Sequence, residues 1–187
     1  MSAIRCFIAV FLDPAIRPKV AAFQRQLARA GADVKWVEAE NLHFTLKFLG
    51  DVQSTRLEGI GRALEAAVAG VQAFELGLGG AGAFPNTRNP RVIWIGVSTG
   101  RDPLIDLASR VEEAMKAEGF RQDGKGLSPH LTIGRVRSAR NLHALAQELS
   151  SSSPPVATMR VDRVQLTSSD LTTHGPVYAP VRVIPLL

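Results

Sequence analysis

The sequence predicts an α+β fold of antiparallel sheets, arranged as two similar lobes around a central cleft. Stretches with the alternating pattern of strands are mixed with stretches that have the 3.6-residue pattern of helices, and hairpin-like joins dominate. One patterned stretch also occurs twice, each time after a helical stretch. This repetition indicates two lobes related by a pseudo-two-fold axis. We expect residues 1–187 to form a single two-lobed domain, with helices packed outside the sheets.

The individual elements follow from periodicity and from residues that start or stop helices. Strands are expected near residues 3–12, 34–37, 42–49, 74–78, 91–97, 159–168 and 177–184. Helices are expected to begin at Asp13, Ser54, Asp102 and Ser138, and the first three to end at Gly31, Gly70 and Gly119. We expect a turn at 50–51 and a bend at the glycine-rich residues 79–82. These glycines have neither phosphate-loop nor dinucleotide-fingerprint spacing.

The repeated stretch carries a histidine and a threonine two residues apart on a strand. His43 and Thr45 alternate with the apolar residues Leu42, Phe44, Leu46 and Phe48, and Lys47 continues the polar series. The polar side chains are therefore predicted to share one face. His130 and Thr132 repeat the arrangement.

A single histidine on a strand is more often structural than catalytic. Here two of the four histidines have the same threonine partner on a patterned strand, and this coincidence favours a functional site. The other two, His143 and His174, have no such partner. We predict that both lie at the surface.

Composition limits the classes of function. The formal net charge of +5 favours an anionic ligand. No apolar stretch reaches the length of a membrane span and the N-terminus lacks a signal-peptide pattern, so we expect a cytoplasmic protein without membrane contact. The single cysteine, Cys6, lies in an apolar run and is predicted to fill the core. Neither an HExxH nor a paired-carboxylate motif occurs, and we expect no metal or other cofactor.

Two histidines facing each other across a cleft suit an in-line displacement at phosphorus. One imidazole takes a proton from the attacking water and the other gives a proton to the departing oxygen. Both protonation states are accessible near neutral pH because the ordinary pKa of histidine is about 6.5. The hydroxyls of Thr45 and Thr132 are placed to donate hydrogen bonds to the non-bridging oxygens.

The sequences His43-Phe44-Thr45-Leu46 and His130-Leu131-Thr132-Ile133 resemble the two HxTx motifs of the two-histidine phosphoesterases. The closest resemblance is to the bacterial and archaeal RNA 2′,3′-cyclic phosphodiesterases, historically called 2′-5′ RNA ligases. It covers nearly the whole chain. The segments that carry it are 5–10, 42–50, 84–85, 90–94, 129–136, 169–171 and 175–178.

This resemblance implies hydrolysis of an RNA 2′,3′-cyclic phosphate to a 2′-phosphomonoester in a central cleft, without a metal. It implies that Arg135, five residues after the second motif histidine, lies against the nucleobase, and that Phe11 offers an aromatic surface to the base or packs in the core. Strict alternation would turn Arg135 away from His130, so we expect a bulge or strand end near Gly134. Guided by the family, we assign His130 as the base and His43 as the acid.

Other hypotheses remain open at this point. The two-histidine site can act on a 2′,5′-linked oligonucleotide or an ADP-ribose cyclic phosphate, or catalyse 2′-5′ ligation. A basic RNA-binding module without catalysis is a further alternative, although binding alone does not need both intact motifs. We expect a monomer whose partner is RNA ending in a 2′,3′-cyclic phosphate, or a nucleotide.

Overall fold

A computed structural model describes residues 3–124, 126–173 and 175–187. Its strands are β1 (Ala3–Phe11), β2 (Val34–Trp36), β3 (His43–Gln53), β4 (Phe74–Phe84), β5 (Val92–Thr99), β6 (Leu131–Val136), β7 (Ala157–Val161), β8 (Arg163–Thr172) and β9 (Gly175–Pro185). Its helices are α1 (Arg17–Ala28), α2 (Leu57–Val68), α3 (Arg101–Ala117) and α4 (Leu142–Ser151). Short 3₁₀ helices lie at Pro14–Ile16, Ala39–Asn41 and Ser54–Arg56.

The strands form two antiparallel sheets, which confirms the predicted α+β fold. One sheet has the strand order β3-β1-β8-β9, and the other has the order β2-β6-β5-β4-β7. The two strands that carry the HxTx motifs, β3 and β6, are in different sheets. Counted from the motif strand, each sheet continues through three further antiparallel neighbours. The two lobes expected from the repeated stretch correspond to these two sheets.

The α-helices pack as two pairs. Helices α2 and α3 contact each other and the four-stranded sheet, and α3 also reaches β4 of the other sheet, whereas α1 and α4 contact each other and α1 lies on β6. The apolar stripe of α3 is buried along its length and consists of Leu104, Leu107, Val111 and Met115. Burial of each such side chain stabilises the fold by about 1.5–3 kcal/mol. Buried residues of both sheets belong to one continuous core.

Two strands extend through glycines at which the sequence predicts a turn or a bend. Gly50 lies inside β3 with φ +71°, and Gly80 lies inside β4 with φ +74°. The register of each strand with its neighbour shifts next to these glycines. The expected turn at 50–51 and the expected bend at 79–82 are therefore wrong, because a glycine with positive φ allows a bulge within a continuing strand.

The predicted strand at 159–168 is also wrong, because the chain changes sheets within it. β7 pairs with β4, and β8 pairs with β1 and β9. The two strands meet at Asp162, whose carboxylate accepts hydrogen bonds from the Arg163 guanidinium at 2.7 and 3.1 Å.

Three predicted helix starts are displaced. Asp13 accepts a hydrogen bond from the Ala15 amide at 2.8 Å, but this bond caps a 3₁₀ turn and α1 starts only after that turn. Ser54 likewise begins a 3₁₀ turn and α2 starts three residues later, while α4 starts after Asn141, which has φ +55°. The hydroxyl of Ser138 accepts a hydrogen bond from the Arg140 amide in the preceding turn. Neither serine therefore caps the helix assigned to it.

The remaining predictions on single residues concern Cys6 and two histidines. Cys6 is fully buried and unpaired, as expected of a core residue. His143 is exposed on α4, which confirms its predicted surface position. His174 lies outside the described residues. No helix in the described ranges is long and apolar enough to cross a membrane.

Candidate active site

A cavity of about 580 Å³ lies between the two sheets and brings the two motifs together. His43 and Thr45 reach it from β3, while His130 precedes β6 and Thr132 lies on that strand. All four side chains are half-buried. The other lining residues are Arg5, Phe7, Lys35, Trp36, Val37, Glu38, Asn41, Phe48, Arg135, Ser169, Leu171, Thr172, Gly175, Pro176, Val177 and Tyr178.

Each of the two histidines is held by an equivalent hydrogen bond to a backbone carbonyl. His43 Nδ1 lies 2.6 Å from the carbonyl oxygen of Asn41, and His130 Nδ1 lies 2.7 Å from that of Ser128. A carbonyl oxygen only accepts, so Nδ1 donates in each ring. Nε2 of each imidazole is therefore the nitrogen left for proton transfer, accepting when the ring is neutral and donating when it is charged.

His43 is surrounded by aromatic rings. Its ring centroid lies 4.8 Å from that of Phe7, 5.3 Å from that of Phe11 and 5.4 Å from that of Tyr178. Burial lowers the pKa of His43, the hydrogen bond to the Asn41 carbonyl opposes this, and the positive charge of Arg135 lowers the pKa further. The protein environment of His43 therefore favours the neutral imidazole.

His130 has a different environment. Its imidazole packs edge-to-face against the ring of Phe84, with the two ring centroids 5.0 Å apart and the ring planes at 86°. Residues 118–124 and 126–130 lead to it from the end of α3, as the sequence predicted for the stretch 120–129. The two imidazoles thus share a hydrogen-bond pattern but differ in their surroundings.

Each motif strand has a bulge at the residue after its threonine. In the pairing of β1 with β3, Ile8 is opposite Lys47 and Ala9 is opposite Thr45, which leaves Leu46 as the extra residue. In the pairing of β5 with β6, Ile93 is opposite Gly134 and Trp94 is opposite Thr132, which leaves Ile133 as the extra residue. A bulge of this kind shifts the alternation of faces by one residue.

The second bulge explains the position of Arg135. Without it, Arg135 would face away from His130, and the sequence required an irregularity near Gly134. The irregularity is at Ile133, and Arg135 lines the same cavity as Thr132. Gly134 takes the opposite face, where an added Cβ would lie 2.8 Å from Val34 Cγ1.

The first bulge corrects two expectations for β3. Lys47 was placed on the face of His43, but it is 2% exposed and lies on the other side. Its Nζ donates to Glu112 Oε1 at 2.9 Å, to the Arg121 carbonyl oxygen at 2.6 Å and to Asp123 Oδ2 at 3.1 Å. Phe48 was placed towards the core with Leu46, but it lines the cavity. Simple alternation misassigned both residues because it cannot show a bulge.

One wall of the cavity comes from the hairpin of β8 and β9. Tyr178 stands on this hairpin, and the amide Nδ2 of Asn41 donates a hydrogen bond to the Pro176 carbonyl oxygen at 3.1 Å, which ties the hairpin to the start of β3. Burial raises the pKa of Tyr178, and the charges of Arg135 and Arg5 oppose that rise, so the phenol is neutral at physiological pH. Sequence reasoning did not single out Tyr178 as a site residue, although it lies in one of the segments that carry the resemblance.

Phe11 lies beside His43 and is not among the described residues that line the cavity. Its predicted contact with a nucleobase stays a prediction.

The charged side chains at the cavity favour an anion. Arg5, Lys35 and Arg135 line it together with the carboxylate of Glu38. Lys35 and Arg135 are directly opposite each other in the pairing of β2 with β6. Among the described residues, no group of three or more His, Cys, Asp or Glu side chains is placed to hold a metal ion.

Comparison with known proteins identifies the family. The model of the 2′-5′ RNA ligase superfamily matches residues 12–173. The chain belongs to this superfamily. A superfamily relative from Methanothermobacter thermautotrophicus, named RNA 2′,3′-cyclic phosphodiesterase, is 41% identical over 184 residues, which cover 98% of this chain and 99% of the relative. A relative of the same name from Archaeoglobus fulgidus is 41% identical over 181 residues, which cover 96% of this chain and 99% of that protein.

A solved structure has the same fold. The crystal structure of E. coli LigT complexed with 3′-AMP superposes with a TM-score of 0.78 at 25% identity, covering 98% of each chain.

Proposed function

We propose that this protein hydrolyses 2′,3′-cyclic phosphate ends of RNA to 2′-phosphomonoesters by a reaction that needs no metal. The observation that carries the proposal is the matched pair of histidines on one cavity, each with Nδ1 bonded to a backbone carbonyl and Nε2 left for proton transfer. The names of full-length relatives at 41% identity support the substrate class. LigT, which has the same fold, forms a crystalline complex with the nucleotide 3′-AMP.

The reaction is a displacement at the cyclic phosphorus. The oxygen of a water molecule forms a bond to phosphorus, and the bond from phosphorus to the 3′ oxygen breaks. Nε2 of His130 takes the proton of the water, and Nε2 of His43 gives a proton to the 3′ oxygen. The phosphate stays on the 2′ oxygen.

Because the pKa of His43 is lowered, its role as the acid depends on the bound substrate. An acid must carry a proton, but the lowered pKa of His43 disfavours its charged form. The cyclic phosphodiester is an anion, and a negative charge beside an imidazole favours its protonated form. Binding of the substrate therefore raises the pKa of His43 and favours the protonated form that the leaving oxygen needs.

The remaining cavity residues stabilise charge and orient the substrate. The hydroxyls of Thr45 and Thr132 donate hydrogen bonds to the non-bridging oxygens as charge builds in the transition state. The Arg135 guanidinium stacks on the terminal nucleobase, and Phe11 is proposed for the same base. We further propose that residues 1–187 act as a single two-lobed domain, and that the protein works as a cytoplasmic monomer.

The test uses a defined RNA with a 2′,3′-cyclic phosphate end in the presence of EDTA. The expected product is the 2′-phosphate, formed at the same rate with and without EDTA. His43→Ala and His130→Ala should each lose activity, whereas the matched control His143→Ala, at the exposed position on α4, should retain it. A 3′-phosphate product, or activity that EDTA removes, would overturn the proposal.

A further inference from the structure

Phe48 is a cavity residue without a part in the proposed chemistry. Alternation along β3 predicted that its ring would face the core with Leu46. The bulge at Leu46 turns it to the cavity instead, and its side chain is 46% exposed. A phenyl ring on a cavity wall is a surface on which another flat group can stack.

Phe48 and Arg135 occupy equivalent positions in the two motifs. Each lies five residues after the motif histidine, each follows a bulge at the third residue after that histidine, and each lines the cavity. Both bulges move this position from the core face to the cavity face. The two lobes therefore each present a histidine, a threonine and one large flat side chain to the same space.

A second flat group accompanies Phe48. The guanidinium carbon of Arg5 lies 4.7 Å from the centroid of the Phe48 ring, a cation–π arrangement. Arg5 is exposed on β1 and also lines the cavity. Phe48 and Arg5, named here the Phe48–Arg5 platform, thus combine an aromatic face with a guanidinium plane and a positive charge.

We propose that the Phe48–Arg5 platform is a second nucleobase subsite, which takes the base of the nucleotide next to the terminal one in single-stranded RNA. Aromatic rings and guanidinium planes both stack on unpaired bases of any sequence. The Arg5 charge suits the phosphodiester that joins the two nucleotides. This inference rests on the proposed function and makes the substrate the end of an oligonucleotide, in preference to a free cyclic nucleotide.

The experiment compares ligands with one and two bases. For turnover, kcat/KM is measured on a nucleoside 2′,3′-cyclic phosphate and on a dinucleotide that ends in the same group. For binding, affinity is measured for the corresponding 2′-phosphate products. A third ligand is a dinucleotide in which the nucleotide next to the terminal one is abasic. It keeps the linking phosphate but lacks the base proposed for the Phe48–Arg5 platform, and so separates stacking from charge.

We expect wild-type protein to prefer the dinucleotide over the mononucleotide and over the abasic dinucleotide. In Phe48→Ala, the ratio of kcat/KM for the dinucleotide to kcat/KM for the abasic dinucleotide should fall by about 5- to 150-fold, the range that stacking of one base gives. The ratio of the two product affinities should fall in the same way. Phe48→Trp keeps an aromatic ring and should therefore retain the wild-type ratio. Val183→Ala is the matched control, because Val183 is also 46% exposed but is not one of the lining residues.

An equal ratio in wild type and Phe48→Ala would overturn the second subsite while leaving the hydrolysis proposal intact. A ratio of one in the wild type would do the same. Absence of turnover on every cyclic phosphate would overturn the proposed function, and the ratio of product affinities would then still decide whether Phe48 binds a second base.

Discussion

The ammonium of Lys47 lies 2.9 Å from a carboxylate oxygen of Glu112 and is 2% exposed. It also contacts the Arg121 carbonyl and the Asp123 carboxylate, in the loop that leads to His130. Lys47 is the fourth residue after His43. One buried cation therefore connects the strand of the first motif to the loop that delivers the second.

The two acidic partners of Lys47 should contribute unequally to stability. Glu112 is 20% exposed and Asp123 is 70% exposed. Glu112→Gln should lower the free energy of unfolding by about 1–3 kcal/mol, because it leaves a buried ammonium with less compensation. Asp123→Asn should cost less than about 1 kcal/mol, since its partner atom is exposed to solvent. Urea denaturation measures both, and equal losses would show that burial does not govern this pair.

The roles of the histidines can be separated with two substrates. Replacement of His43 or His130 by Ala should slow hydrolysis of the cyclic phosphate by about 10²- to 10⁴-fold, as typical for lost acid–base catalysis. On a substrate whose leaving group needs no proton, His43→Ala should recover much of its activity and His130→Ala should not. Recovery by His130→Ala instead would exchange the roles of acid and base.

The pKa of His43 should respond to ligand and to Arg135. Burial, together with the charge of Arg135, holds this pKa below the ordinary value. In Arg135→Gln it should rise, and in the wild type it should rise when inorganic phosphate is added, since an anion favours the charged imidazole. Titration of the histidine ring protons by NMR measures each change. Arg137→Gln, at an exposed arginine outside the cavity lining, is the control and should leave the titration unaltered.

The same pKa shift makes stability depend on pH. Because the pKa of His43 is lower in the folded protein than in the unfolded chain, the unfolded chain binds the proton more readily. The contribution to stability is present above the unfolded pKa of about 6.5 and is lost as the pH falls through the folded pKa. Urea denaturation at a series of pH values measures this loss. It should be smaller in His43→Ala and unchanged in His143→Ala, which removes an exposed histidine.

Salt dependence distinguishes a reader of RNA ends from a general RNA-binding module. Each phosphate contact on a single strand contributes about −0.7 to the slope of log affinity against log salt, so two or three contacts give a shallow slope. The catalytically inactive His130→Ala should show this slope on a short cyclic-phosphate RNA. Adding Arg135→Ala should weaken binding by about 1–3 kcal/mol through lost stacking, with little change of slope. A steep slope that persists on RNA without the cyclic end would favour the binding module.

The sequence predicted the fold class and the strands of the two motifs because their signals are local. Alternation placed His43 and Thr45 on one face, and no irregularity lies between them. It failed for Lys47 and Phe48, which follow the bulge at Leu46. For Arg135 the need for a bulge was recognised only because the family resemblance required that residue at the base.

The stretch 159–168, predicted as one strand, forms parts of β7 and β8, and the sequence carries only a weak signal of this break. Buried residues alternate through Met159 and Val161, then resume at Val164, one residue out of phase. The change of phase occurs at Asp162 and Arg163. A change of phase within one apolar run indicates a break, but nothing local shows that the next strand joins a different sheet, because that depends on pairing partners distant in sequence.

The path of the chain between the sheets has a practical consequence. β1 and β3 belong to one sheet and β2, between them in sequence, to the other; the chain leaves again for β4 and returns at Asp162. A cut between the two motifs does not separate the lobes, because it leaves strands of each sheet on both sides. Fragments that end between the motifs should therefore recover a native site only when they are refolded together, so the protein suits complementation by split halves but not exchange of one lobe as a module.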